Sequence, residues 1–206
     1  ENGQAFPKEL LAQEAPEEIR HLCILLSCAD NLSSSERDEE AEKNQNFRTR
    51  PMASIFTSVS VDDSLEKDVA YYKPAVFAPE NCFPDPNLVQ NIVSKNAIFT
   101  DAFTAEIEIL SKQNIKDFNT LYTLLNTLLL KYLWCIPSSS LDRVPDVSLY
   151  DHLKTTSAIA ACLYQYHEGI NDWNISSIRD KSTAKFKMVL GDFSGIQKFI
   201  FEVSNT

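Results

Sequence analysis

The stretch DVSLYDHLKTTSAIAACLYQYHEG, residues 146–169, decides how the rest of the chain is read. Leu149, Leu153, Thr156, Ala160, Leu163 and His167 recur at intervals of three and four, the period of one helix face. Ser148 precedes this run with Asp151 three positions on, a carboxylate variant of the capping box, and Gly169 supplies a C-terminal stop. The spacing therefore predicts a helix that carries Asp151 and His152 side by side in its first turns, with His152 at the edge of the apolar face. Asp151 complements the positive helix end. His152 either packs at a domain seam or ligates a metal, and two candidates fall short of the three or four ligands such sites need.

Upstream of this helix, Phe118, Leu121, Leu125, Leu128 and Tyr132 form a second helical stripe, widened by Leu124, Leu129 and Leu130. That pattern predicts a helix over 118–135 buried on most sides, ended by Pro137. Residues 88–113 read as helical after the proline-rich break NCFPDPN. Before it, MASIFTSVSV and DVAYYKPAVF read as a small hairpin within about 51–78, Pro74 confining the second strand to an edge. A further helix over 16–36 aligns Ile19, Leu22, Cys23, Leu26 and Ala29. Asp30 borders that stripe, where an ionised carboxylate requires a cation or several hydrogen bonds, or serves as a helix-end cap. The charge-dense SSSERDEEAEKNQNFRTRP that follows reads as a solvated connector. His21 and His167 read as surface or seam residues.

Downstream the pattern changes. KFKMVLGDFSGIQKFIFEV predicts a strand at 186–190, a tight turn and a helix from about Ser194. Asp192 stands at the strand end, and the amides of Ser194, Gly195 and Ile196 open a helix whose dipole favours phosphate. A strand-end carboxylate beside such a turn suits a metal-bound nucleotide, although an ordinary turn capped by Asp192 or Ser194 accounts for it equally. One strand and one helix cannot bury their apolar faces alone, so a second domain is expected from here on.

Composition sets limits. The 206-residue chain carries a formal net charge of -10, which argues against a free-standing nucleic-acid binder. Four glycines among 206 residues lean away from a loop-rich all-β design. The five cysteines are odd in number and lack a CxxC pair, so they read as reduced core thiols of a cytoplasmic protein. LYTLLNTLLLKYLWCI is interrupted by Asn126 and Lys131 and is shorter than the roughly 20 residues of a membrane span, so no membrane partner is expected. The chain does not begin with Met and reads as an internal piece of a longer protein.

In their order, CADNLSSSER, PMASIF, KYLWCIPSSS, PDVSLYDHLKTTSAIAACLY and GDFSGIQKFIF resemble the large catalytic subunit of type III-A CRISPR effector complexes. The resemblance implies a mainly α fold: an incomplete HD-type helical nuclease domain over 1–180 with the inserted β-hairpin. The first strand and helix of an α+β, ferredoxin-like palm would follow over 185–206. It implies single-stranded DNA cleavage with a divalent metal (manganese, nickel or magnesium) and conversion of ATP to cyclic oligoadenylates by paired palms. It also implies partners: other effector subunits, guide RNA and target RNA.

By that resemblance Asp30 and His152 are metal-binding and catalytic, Asp151 orients His152 as outer carboxylates do, and Asp192, Ser194, Gly195, Ile196 and Gln197 contact ATP phosphates or a metal. The family's adjacent His-Asp pair and second palm have no counterpart in these residues, so the fragment alone is expected to be inactive. Two rivals stand beside this reading. One is a general HD-type nucleotide phosphohydrolase, against which GDFSGIQKFIF counts; the other is a non-catalytic scaffold subunit of an RNA-guided complex.

Overall fold

The computed structural model describes residues 14–34, 50–57, 69–85, 87–88, 96–139 and 144–191. Over them the protein is mainly helical: α1 (Glu17–Ser33), α2 (Asn96–Ser111), α3 (Phe118–Leu133), α4 (Leu149–Ile170) and the short α5 (Ile175–Arg179). No helix among the described residues is long and apolar enough to cross a membrane.

The main core lies between α1, α4 and α5, where Ile24, Leu25, Ala29, Leu163 and Ile178 are buried and Ile159, Ala160, Trp173 and Phe186 pack around them. The first two helices of this core run antiparallel. Ser33 at the end of α1 meets Thr156 near the start of α4, while His21 near the start of α1 and His167 near the end of α4 both pack on Trp173. Lys185 Nζ folds back on α5 and donates to the carbonyls of Ser177, Ile178 and Asp180, supplying donors that a helix C-terminus lacks.

A second cluster, Met52, Tyr72 and Cys135 with Trp134, pins the segments before α2 to the end of α3. Trp134 Nε1 donates to Ala75 O at 2.8 Å, and Tyr72 and Phe77 meet the indole edge-on. Burial pushes the Cys135 thiol up to about 11. Backbone bonds then fix where α4 starts: Leu149 N donates to Ile136 O, Ser138 N to Val147 O and Ala53 N to Pro145 O.

Several expectations change in detail. The predicted hairpin is met by an isolated antiparallel bridge, Ala53 with Tyr71, and a 3₁₀ turn at Ile55–Thr57; residues 58–68 lie outside the described set. The helix expected to be buried on most sides buries Leu128 and Tyr132 but leaves Phe118 73% exposed and Leu121, Tyr122, Leu124 and Leu125 open, because its described neighbours touch only part of its circumference. Gly169 does not end α4. The helix runs to Ile170, and Asn171 takes the left-handed conformation at φ 50°, which asparagine tolerates better than most residues. Of the cysteines, all free, only Cys135 is buried; Cys162 is exposed and Cys23, Cys28 and Cys82 are half-buried. The predicted strand residues Met188, Val189 and Leu190 are described but carry no strand pairing and are almost fully exposed. Asp192 and the Ser194–Gln197 turn lie outside the described residues.

Candidate metal-binding pair

The antiparallel packing of α1 on α4 brings together two residues 122 positions apart: His152 Nε2 lies 2.9 Å from Asp30 Oδ1. The two partners sit differently. The His152 side chain is 7% exposed and that of Asp30 is 58% exposed, so the imidazole is held from within while the carboxylate opens to solvent. Two sequence expectations are corrected by this arrangement. His152 belongs to the buried set of α4 (His152, Thr156, Leu163, His167) rather than its edge, because α1 crosses on that line. The stripe that Asp30 was read as bordering is displaced: Ile24, Leu25, Ala29 and Ser33 are buried, whereas Ile19, Leu22 and Leu26 are exposed, and Asp30 itself faces solvent.

Of the two duties expected of Asp151, capping α4 and orienting His152, the structure shows the capping one. Its backbone N–H donates to Ser148 Oγ at 3.0 Å, and its carboxylate accepts the Ser148 hydroxyl at 2.7 Å. It is a capping residue of α4 and makes no hydrogen bond to His152. The orienting groups are two residues that the spacing did not single out. Ser33 Oγ lies 3.1 Å from His152 Nδ1 and 2.7 Å from Thr156 Oγ1, and it also lies within donating distance, 2.9 Å, of Asp30 O. All three side chains, Ser33, His152 and Thr156, are buried. The available signal was register: Ser33 is three positions after Asp30 and Thr156 four after His152, hence on the same faces.

A carboxylate oxygen and an imidazole nitrogen side by side at the solvent edge combine a donor that manganese and magnesium favour with one that nickel favours. Among the described residues no group of three or more His, Cys, Asp or Glu gathers, so Asp30 and His152 stand there as a pair.

His167, expected at the surface or a seam, is fully buried at 0% exposure. Its Nδ1 lies 2.7 Å from Asp172 O, and Tyr166 and Trp173 enclose the ring. His21 is half-buried against Trp173, as a seam residue would be.

No protein-family model matches the chain. Among curated proteins it is similar to the CRISPR system single-strand-specific deoxyribonucleases Cas10/Csm1 (subtype III-A) of three organisms. Identity is 34% with the Methanocaldococcus jannaschii protein over 87% of this chain, 34% with that of Enterococcus italicus over 86%, and 31% with that of Thermococcus onnurineus over 91%. The chain spans 26%, 25% and 21% of those relatives' lengths, respectively. With three relatives matched along most of its length, the chain belongs to the Cas10/Csm1 family of subtype III-A.

Proposed function

We propose that residues 1–180 belong to an HD-type nuclease domain that cuts single-stranded DNA with a divalent metal, Asp30 and His152 being metal ligands. The observation that carries this reading is the 2.9 Å approach of Asp30 Oδ1 to His152 Nε2 across two packed helices. It is supported by the name single-strand-specific deoxyribonuclease that the relatives bear. When bound, a divalent cation would supply Lewis acidity toward water and the phosphodiester. Asp30 offers an open carboxylate on the solvent side. His152 offers a nitrogen whose direction is set by buried hydroxyls. The capped start of α4 holds the ring in place. In a protein of the relatives' length the family's adjacent His-Asp pair would supply further ligands.

In the same proposal, residues 185–206 begin a palm domain. Asp192 and Ser194–Gln197 there approach the phosphates of ATP, the substrate of cyclic oligoadenylate synthesis in the longer protein. Its partners are the other subunits of a type III-A effector, with guide and target RNA. The scaffold reading keeps one observation in its favour, the lack of a third ligand among the described residues.

The test uses a protein of the relatives' length that carries this segment. It is expected to cut single-stranded DNA with manganese, to lose cutting with a chelator, and to slow at least about 100-fold in both Asp30→Ala and His152→Ala. Circular dichroism confirms that the variants are folded. Undiminished cutting by both folded variants would return the pair to structural duty and favour the scaffold.

A further inference from the structure

We propose that Ser33 is a positioning residue whose hydroxyl lets His152 exchange its hydrogen-bonded hold on Asp30 for a divalent cation without leaving a buried group unpaired. The inference rests on the reading of Asp30 and His152 as metal ligands and adds a residue and a device to it.

The argument is one of donors and acceptors. An ionised Asp30 carboxylate only accepts, so a neutral His152 facing it at 2.9 Å carries its N–H on Nε2. Nδ1 is then a lone pair. It lies in the interior, 3.1 Å from Ser33 Oγ, and the Ser33 hydroxyl donates to it.

A cation at Nε2 requires the lone pair there, which puts the ring N–H on Nδ1. The ring holds the same number of protons in both states; Nε2 gives one to water and Nδ1 takes one from water when the ring momentarily opens. Ser33 Oγ now accepts from Nδ1–H, and its own hydrogen has a second acceptor 2.9 Å away, the carbonyl of Asp30. Thr156 Oγ1, 2.7 Å from Ser33 Oγ, donates into the remaining lone pair in either state. A backbone carbonyl in place of the hydroxyl would serve only the metal-bound tautomer, and a backbone amide only the metal-free one. A hydroxyl serves both. Its burial with Thr156 makes the pairing matter, because an unpaired polar atom there is costly.

Two readouts test the proposal, and neither is enzymatic. The chain has three histidines, so their ring ¹⁵N resonances are separable. In the metal-free chain at alkaline pH, His152 is expected as the Nε2–H tautomer with a hydrogen-bonded Nδ1. Ser33→Ala should shift the Nδ1 resonance toward that of an unbonded ring nitrogen, Ser33→Thr should restore it, and His167 should not move in either. A His152 found as the Nδ1–H tautomer, or an Nδ1 resonance indifferent to Ser33→Ala, overturns the proposal.

The second readout is Mn²⁺ affinity, measured by electron paramagnetic resonance of the free ion in a protein of the relatives' length. Ser33→Ala is expected to weaken binding about 10–100-fold and Ser33→Thr to recover most of the loss. Equal binding by wild type and folded Ser33→Ala overturns the role of Ser33 alone. Absence of Mn²⁺ binding by wild type overturns the metal reading and the switch with it.

Discussion

The two ends of α4 each bury a histidine, and they use it differently. Near the start, His152 meets an exposed carboxylate on one side and two hydroxyls on the other. Near the end, His167 meets a backbone carbonyl and aromatic rings, and its Nε2 is buried without a hydrogen-bond partner. A nitrogen aimed at an open carboxylate can trade that partner for a ligand from solvent. A nitrogen sealed behind Trp173 cannot. The contrast teaches that two buried histidines on one helix differ in access: one ring keeps a nitrogen facing a solvent-exposed carboxylate, and the other is enclosed.

The largest stability effect expected from this contrast is at the sealed end. His167→Ala should lower unfolding free energy by about 2–4 kcal/mol, because it opens a cavity in a fully buried site and removes the donor to Asp172 O. His152→Ala should cost less, about 1–2 kcal/mol, since solvent can reach Asp30 once the ring is gone. Urea unfolding of the two variants measures both, and equal losses would break the distinction between the ends.

A smaller effect is expected at the cap. Ser148→Ala removes the hydroxyl that bonds both the amide and the carboxylate of Asp151, and should cost about 0.5–2 kcal/mol. Amide exchange should accelerate in the first turn of α4, around His152, and remain unchanged around His167. Uniform acceleration along α4 would mean that the two ends are not independently held.

How much of this was legible beforehand follows from the kind of signal involved. The helices α1, α3 and α4 were plain from spacing, as was Ser148 as the cap, because periodicity and local side-chain-to-backbone bonds are encoded within a few residues; the face that α1 buries was not, since Ile24, Leu25, Ala29 and Ser33 are buried while Ile19, Leu22 and Leu26 of the expected stripe are exposed. The exposure of α3 was not, since a wide apolar stripe states only that something can cover it. Asp30 and His152 were paired through family resemblance; periodicity placed Asp30 beside a stripe that proves mostly exposed, and His152 at the edge of a face in which it is buried. Ser33 and Thr156 were missed because serine and threonine at a helix end or interior have ordinary local roles. Only the antiparallel register of α1 on α4 turns them toward one ring. Asp151 was legible as a capping partner but not as an orienting one: adjacency to His152 in sequence points the two side chains about 100° apart around the helix.

The smallest effect concerns neither end of α4 and serves as a control on its neighbours. Hydrogen bonds from Lys131 and Tyr132 hold the Glu106 carboxyl below the usual carboxylate range. A carboxyl with a depressed folded-state pKa contributes stability that is present above its unfolded pKa and fades as pH falls through the folded one. The α2–α3 contact should therefore loosen only in acid, modestly because both partners are substantially exposed and salt-screened. Glu106→Gln should flatten the acid limb of the melting profile; an unchanged limb would place its origin elsewhere, with Asp117 and Asp172, also depressed, as the next groups to test.

The most direct test of the central claim places the two histidines in one assay. Manganese-dependent cleavage of single-stranded DNA is measured for His152→Gln and His167→Gln in a protein of the relatives' length, each rate normalised to the folded fraction. Division of labour along α4 predicts loss of cutting in His152→Gln and a near wild-type rate per folded molecule in His167→Gln. A folded His152→Gln that cuts at the wild-type rate would contradict it.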